Sequence, residues 1–183
     1  RILISRPNHR LGNLLLLTPL VQEVENTFPD SKIDLFVKGG VTPIIYKNYE
    51  NIDRFIQLPK KPFSNLGKYI KGWFQLKFRK YDLAINSNQG SSSGRLSILA
   101  TNSTYKFFGE DNEELNTKYP DYKKKKKKTI YNLRKFLTEL GFPENTSKIS
   151  SLQIILDKEE LETGKENLQK IIQNDKKTIC LFT

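Results

Sequence analysis

The chain is poor in the residues from which catalytic and structural clusters are commonly built. Its 183 residues include one cysteine, one histidine, one tryptophan and no methionine. A lone Cys180 excludes an intrachain disulfide and suits a reducing compartment. With the single histidine and single cysteine far apart, no metal-ligand spacing exists, and no metal is expected. No apolar run approaches the ~20 residues that span a bilayer, and no signal-peptide pattern is present. Secretion is therefore not expected. Neither GxGxxG nor a GxxxxGK run followed by Ser or Thr occurs, so nothing argues for a dinucleotide fingerprint or a P-loop.

Acidic residues are the other shortage. There are 20 against 31 Lys and Arg, a formal net charge of +11. Between positions 55 and 81 there is no Asp or Glu at all. This imbalance favours an anionic partner: nucleic acid, anionic lipid or a phosphorylated substrate. No nucleic-acid motif or aromatic stacking pattern accompanies the basic residues, so nucleic acid is not expected.

What is present alternates between two periods. Residues 1–5 read as a buried strand, 6–12 as a polar loop, and 14–28 as a helix with Leu14, Leu17, Val21, Val24 and Phe28 on one face. Further strands are expected at 32–38, 53–58, 81–87 and 104–108. Helices are expected near 41–49, 64–80, 95–100 and 129–140, with 110–121 irregular. Strands separated by helical crossovers predict an α/β fold, a three-layer Rossmann-like parallel sheet covered on both faces. Residues 157–174 read as a charged helix, with Asp157 as N-cap and Leu161, Leu168, Ile171 and Ile172 inward. The expected organisation is one domain over 1–175, with that helix as a linker. Residues 177–183 read as a strand just begun, which suggests a fragment of a longer protein.

Four stretches carry chemistry. The loop holding Arg6, His9, Arg10 and Asn13 leaves the first strand and enters a helix, where open α/β proteins bind ligands and a helix start favours anions. Equally, Asn13 serves as a plain N-cap with the basic residues in solvent. The loop at 86–94 (NSNQGSSSG) sits at the same sheet edge; Asn86, Asn88, Ser91, Ser92 and Ser93 suit hydrogen bonding to sugar or phosphate. Its GSSSG matches a bare GxSxG at Ser92, but the one histidine precedes it, contrary to hydrolase order. Residues 60–80 form a basic amphipathic helix, with Lys68, Lys71, Trp73 and Lys77 suited to an anionic membrane surface; alternatively its apolar residues pack on the sheet. The lysines at 123–128, with Lys123, Lys124 and Lys125 foremost, are a mobile run that contacts an anion or only solvent.

These residues also carry a family likeness. Leu11-Gly12-Asn13, Thr18-Pro19 and Phe28-Pro29-Asp30 follow one another as in the lipopolysaccharide heptosyltransferases, glycosyltransferase family 9. Ile52-Asp53-Arg54 resembles that family's VDRVI strand, Tyr81-Asp82-Leu83-Ala84-Ile85 its YDLVID, and residues 132–141 its NLALLRALG helix. The resemblance implies the amino-terminal, acceptor-binding half of a GT-B enzyme, with residues 177–183 as the first strand of a second, donor-binding domain that is truncated. Such an enzyme inverts the anomeric centre, needs no metal or cofactor, and takes a nucleotide sugar such as ADP-heptose as co-substrate. It further implies a lipid-linked glycan acceptor, a cytoplasmic place at the inner membrane face, and a monomer. Gly12 falls in the matched motif and is assigned, with Arg6, Arg10 and the 86–94 loop, to acceptor binding. One position departs: the family's presumed basic aspartate is Asn13 here, and an amide cannot accept a proton at neutral pH. His9, in the same loop, has the imidazole chemistry of a base. The other outcomes are a base from the absent half, or an inactive glycan- or lipid-binding relative.

Overall fold

The computed structural model describes residues 1–61, 63 and 65–172. Five strands, β1 (Ile2–Arg6), β2 (Ile33–Lys38), β3 (Ile52–Leu58), β4 (Lys80–Asn86) and β5 (Asn102–Phe107), form a parallel sheet in the order β3-β2-β1-β4-β5. The expected strands are all present, shifted by a residue or two. Successive side chains alternate between faces, as a pleat requires. Ile2, Ile4, Leu35, Val37, Leu83 and Ile85 enter one apolar cluster, and Leu3, Phe36, Ile56, Leu58 and Ala84 the other. Both faces are covered by helices, giving the α/β arrangement expected from the alternating pattern. The residues at 177–183, read as a further strand, lie outside the described residues.

The first helix departs from expectation. It is two helices, α1 (Leu11–Leu15) and α2 (Thr18–Thr27). Pro19 has no N–H to give the carbonyl of Leu15, which breaks the ladder. The Thr18 hydroxyl donates to that carbonyl instead, at 2.9 Å. After α3 (Thr42–Tyr46) and β3, α4 (Leu66–Phe78) approaches the sheet so closely that a Cβ on Gly72 would lie 2.7 Å from Leu58 Cδ2. Beyond α5 (Ser92–Ala100) and β5, the stretch read as irregular contains α6 (Glu113–Lys118). Asn112 accepts from Leu115 N at 2.9 Å, Glu113 and Glu114 occupy the first turn, and Leu115 is buried.

The lysine run is also corrected. Instead of a mobile loop, it enters α7 (Lys125–Glu139), whose first turn it forms. Cations oppose the dipole there, but Lys127 pairs with Asp121 and Lys128 with Asp111. Residues 150–156 cross α2 and α3 as an unpaired strap. Its backbone meets Thr18 Oγ1, Tyr49 Oη and Asn48 Nδ2 at 3.2, 2.8 and 2.9 Å. α8 (Lys158–Ile171) starts at the expected cap, where Asp157 and Glu160 form a capping box. Of its expected inward residues, Leu161, Leu168 and Ile171 are exposed and Ile172 is half-buried. Leu-to-Leu spacing predicts a stripe, not what lies opposite it.

Two contacts hold the layers that frame the carboxyl edge of the sheet. Arg134 of α7 donates Nε and Nη2 to the two oxygens of Glu23 in α2, each at 2.7 Å, and both side chains are buried. Asn145 adds a third bond to Glu23 at 2.9 Å. On the other face, Ser5 of β1 and Ser97 of α5 share a hydroxyl contact at 2.5 Å, and Ser97 donates to the Gly94 carbonyl at 2.6 Å. A Cβ on Gly94 would sit 2.5 Å from Asn86 Oδ1, so only glycine lets α5 start there.

Arg134→Ala strands a buried carboxylate, and urea unfolding should show a loss of about 3–5 kcal/mol. Gly94→Ala should cost about 1–3 kcal/mol through overpacking. In a nitrogen–proton spectrum it should move the amides of Asn88 and residue 94 while leaving those of β2 in place.

Candidate active site at the carboxyl edge

In this strand order the chain leaves β1 toward β2 on one side and reaches β4 on the other. The crevice outside the carboxyl ends of β1 and β4 is a topological switch point, where open α/β sheets bind ligands. β1 ends at Arg6 and β4 at Asn86, and Ser5 lies opposite Asn86 in the register. The two loops singled out from sequence therefore meet at one place.

The first loop is a tight turn. Asn8 N donates to the Arg6 carbonyl at 2.6 Å, and Asn8 Oδ1 accepts from Arg10 N at 2.8 Å. Arg10 is the N-cap of α1, and Asn13 lies inside the helix, so the plain N-cap reading of Asn13 is wrong. Its amide oxygen instead accepts from Arg6 Nη2 at 3.1 Å. Burial pulls the Arg6 guanidinium below its usual range, against a weaker opposite pull from Tyr46. Tyr46 Oη donates to the Leu14 carbonyl at 2.7 Å and so fixes α1 from beneath. Gly12 has no positive φ and open space where a Cβ would stand. Packing does not require a glycine there, and the bare backbone leaves room for a ligand.

The second loop divides in two. Asn86 is buried, and its amide is used within the protein: Nδ2 donates to the Phe108 carbonyl and Oδ1 accepts from Asn88 N, both at 3.3 Å. Ser91 caps α5 by accepting from Gly94 N at 3.1 Å, with Ser93 Oγ 3.4 Å away. Asn86 and Ser91 thus shape the loop. Ser92 and Ser93 are exposed. Asn88 lines a recess of about 30 Å³ with Arg6, Asn13, Leu16, Leu17, Leu20 and Thr129. That volume is on the scale of one water molecule.

Thr129 enters this site from α7 and donates to the Ser87 carbonyl at 3.3 Å. Nothing local in the sequence marks it, because the contact spans more than forty residues. His9 is exposed in the same loop as Arg6 and Arg10. A Cβ on Gly39 would lie 3.3 Å from His9 Cβ and 3.4 Å from Lys60 Cε, so the turns after β2 and β3 flank the histidine. The turns after β1, β2, β3 and β4 (residues 7–10, 39–41, 59–65 and 87–91) contain no Asp or Glu. Among the described residues no three His, Cys, Asp or Glu side chains are grouped so as to hold a metal ion.

The expected membrane residues fare differently. Lys68, Lys71, Lys77, Lys123 and Lys124 are exposed. The side chain of Lys125 lies outside the described residues. Trp73 faces inward, half-buried with its ring centroid 5.4 Å from that of Phe36, so it is not a surface contact. The residue that closes on the sheet is set by α4's inner row, Tyr69, Gly72, Trp73 and Leu76. A cleft of about 650 Å³ lies along β3 and the end of α4, away from the loops. Among the described residues no helix is long and apolar enough to cross a membrane.

No protein-family model matches the chain, and no curated protein does either. Solved structures do. The E. coli heptosyltransferase WaaC with ADP superposes with a TM-score of 0.58 at 16% identity, covering 82% of this chain and 50% of that one. The same enzyme with ADP-2-deoxy-2-fluoro heptose gives 0.55 at 14% identity, covering 82% and 51%. A family 9 glycosyltransferase from Veillonella parvula gives 0.64 at 17% identity, covering 93% and 49%. The chain spans about half the length of these neighbours. At such identities the likeness establishes architecture: the chain has the Rossmann-like fold found in one half of GT-B glycosyltransferases of the heptosyltransferase type.

Proposed function

We propose that this chain is the acceptor-binding half of an inverting, metal-independent glycosyltransferase, which moves a sugar from a nucleotide donor to a lipid-linked glycan. The observation that carries the reading is the meeting of Arg6, Asn13 and Asn88 at the switch point between β1 and β4. The neighbours crystallised with ADP and a fluorinated ADP-heptose support an ADP-sugar such as ADP-heptose as co-substrate. No further cofactor enters the reading. The protein works as a monomer at the cytoplasmic face of an anionic membrane.

In this mechanism Asn13 orients the acceptor hydroxyl while Arg6, Arg10 and the exposed serines Ser92 and Ser93 hold acceptor sugar or phosphate. The bare backbone at Gly12 admits the acceptor, and Asn86 and Ser91 keep the second loop in shape. His9 takes the hydroxyl proton as the oxygen attacks the anomeric carbon from the face opposite the leaving group. The bond from that carbon to the nucleotide diphosphate breaks, and the diphosphate leaves with the electron pair. A positioned base of this kind contributes about 10²–10⁴-fold.

A second reading is favoured by the acid-free turns and by Asn13: the chain binds glycan or lipid without turning it over. The two readings separate in a chain extended to include its donor half, assayed for product by mass. His9→Ala should lower kcat by about 10²–10⁴ with little change in KM, and Asn13→Asp should restore part of it by supplying a carboxylate base. If wild-type protein binds acceptor but yields no product with any nucleotide sugar, the binding reading holds. Wild-type turnover in both His9→Ala and Asn13→Ala would remove the first loop from the mechanism.

A further inference from the structure

α4 is apolar on two sides. Its inner row, Tyr69, Gly72, Trp73 and Leu76, packs on the sheet with Phe36, Ile56 and Leu58. A second row, Leu66, Ile70, Phe74 and Phe78, recurs every four residues and is exposed at 54%, 44%, 52% and 78%. Four-residue steps keep side chains on one side of a helix. The row therefore runs the length of α4, about 20 Å at 1.5 Å per residue. Phe74 and Phe78 stack on each other with centroids 5.8 Å apart, and Phe63, just before the helix, is 93% exposed. A helix apolar on both sides is normally buried, and a contiguous exposed patch of this kind marks an interaction surface.

Charge selects the occupant. Lys68, Lys71 and Lys77 are exposed around this row and make no ion pair among the described residues. No carboxylate lies between residues 55 and 81. A second copy docking α4 on α4 would bring these lysines together with nothing to neutralise them, which opposes self-association. A surface offering an apolar layer beneath a sheet of phosphates meets both the row and its lysines at once.

We propose that α4 seats the protein on an anionic lipid surface. Phe63, Leu66, Ile70, Phe74 and Phe78 enter the boundary between headgroups and acyl chains, while Lys68, Lys71 and Lys77 reach the headgroup phosphates. Trp73 stays in the core and takes no part. In a parallel α/β unit the amino end of a crossover helix lies at the carboxyl edge of the sheet. Phe63 and Leu66 thus stand at the same edge as Arg6 and Asn13, which brings the crevice beside the bilayer. The proposal deepens the reading given above and rests on it only for the use made of this proximity.

Flotation of the chain with phosphatidylcholine vesicles, with and without phosphatidylglycerol, tests the surface without any sugar transfer, so either reading can fail alone. Binding to the anionic vesicles should be about tenfold tighter than to neutral ones. Lys71→Gln with Lys77→Gln should lose about tenfold, and added salt should abolish the preference for anionic vesicles. Phe74→Ser with Phe78→Ser should lose about tenfold on both vesicle types. Circular dichroism and thermal unfolding should match wild type, since these side chains are exposed. Equal partition to both vesicles, undiminished binding of the double phenylalanine variant, or self-association without flotation would each overturn the proposal.

Discussion

The constraint on which the rest depends is the central position of β1. Because β2 and β4 both pair with it in parallel, each must return through a crossover before pairing, and the two crossovers leave in opposite directions. The loops after β1 and β4 are thereby held side by side with no strand end between them. What packs on either face serves that edge. Glu23 and Arg134 tie α2 to α7 so that Thr129 can reach the crevice. Ser5, Ser97 and Gly94 let α5 start directly above β4. Buried pairs of this kind add little stability over apolar residues of equal volume, but they fix geometry when broken partners are costly.

The pattern of apolar residues made the sheet legible. Strands buried on both faces read as short apolar runs, as β1, β2 and most of β4 do, whereas the edge strands β3 and β5 are more polar and partly exposed. Less was legible where one residue type has two uses. Thr18-Pro19 was visible as a motif, yet it also splits the first helix, because a proline two residues into α2 removes the bond Leu15 would receive. The lysine run looked like a mobile tract because low complexity hides the acidic partners, Asp111 and Asp121, that lie before it in sequence. Trp73 and Phe74 are adjacent and equally apolar, and only the angle at which α4 meets the sheet decides that one is core and the other surface. The pairing Asn112 with Glu113 and Glu114 was a readable helix start that the surrounding polarity obscured.

The site itself was legible as two loops, and its interior was not. Proximity of Arg6 to Asn13 spans seven residues and needs the turn at Asn8 to fold back, while Asn88 and Thr129 arrive from separate elements. Polarity alone also could not separate groups that face a ligand from groups that build the loop. Asn86 and Ser91 have the same chemistry as Asn88 and Ser93, but backbone contacts consume their capacity.

In the proposed mechanism, an amide rather than a carboxylate at position 13 changes more than the supply of a base. Arg6 is partly buried, and its side chain finds one hydrogen-bond partner among the described residues, the neutral amide of Asn13. A carboxylate there would cancel the guanidinium charge at short range, and the pair would present little net field to a ligand. With asparagine the hydrogen bond remains but the charge does not cancel. A desolvated positive charge therefore stands at the floor of the crevice, where water screens it less than at the surface. The turns after β1, β2, β3 and β4 bring no Asp or Glu to it. Asparagine rather than a carboxylate at position 13 thus strengthens the attraction for an anionic ligand, and in the proposed mechanism proton transfer falls to His9, outside the Arg6–Asn13 pair.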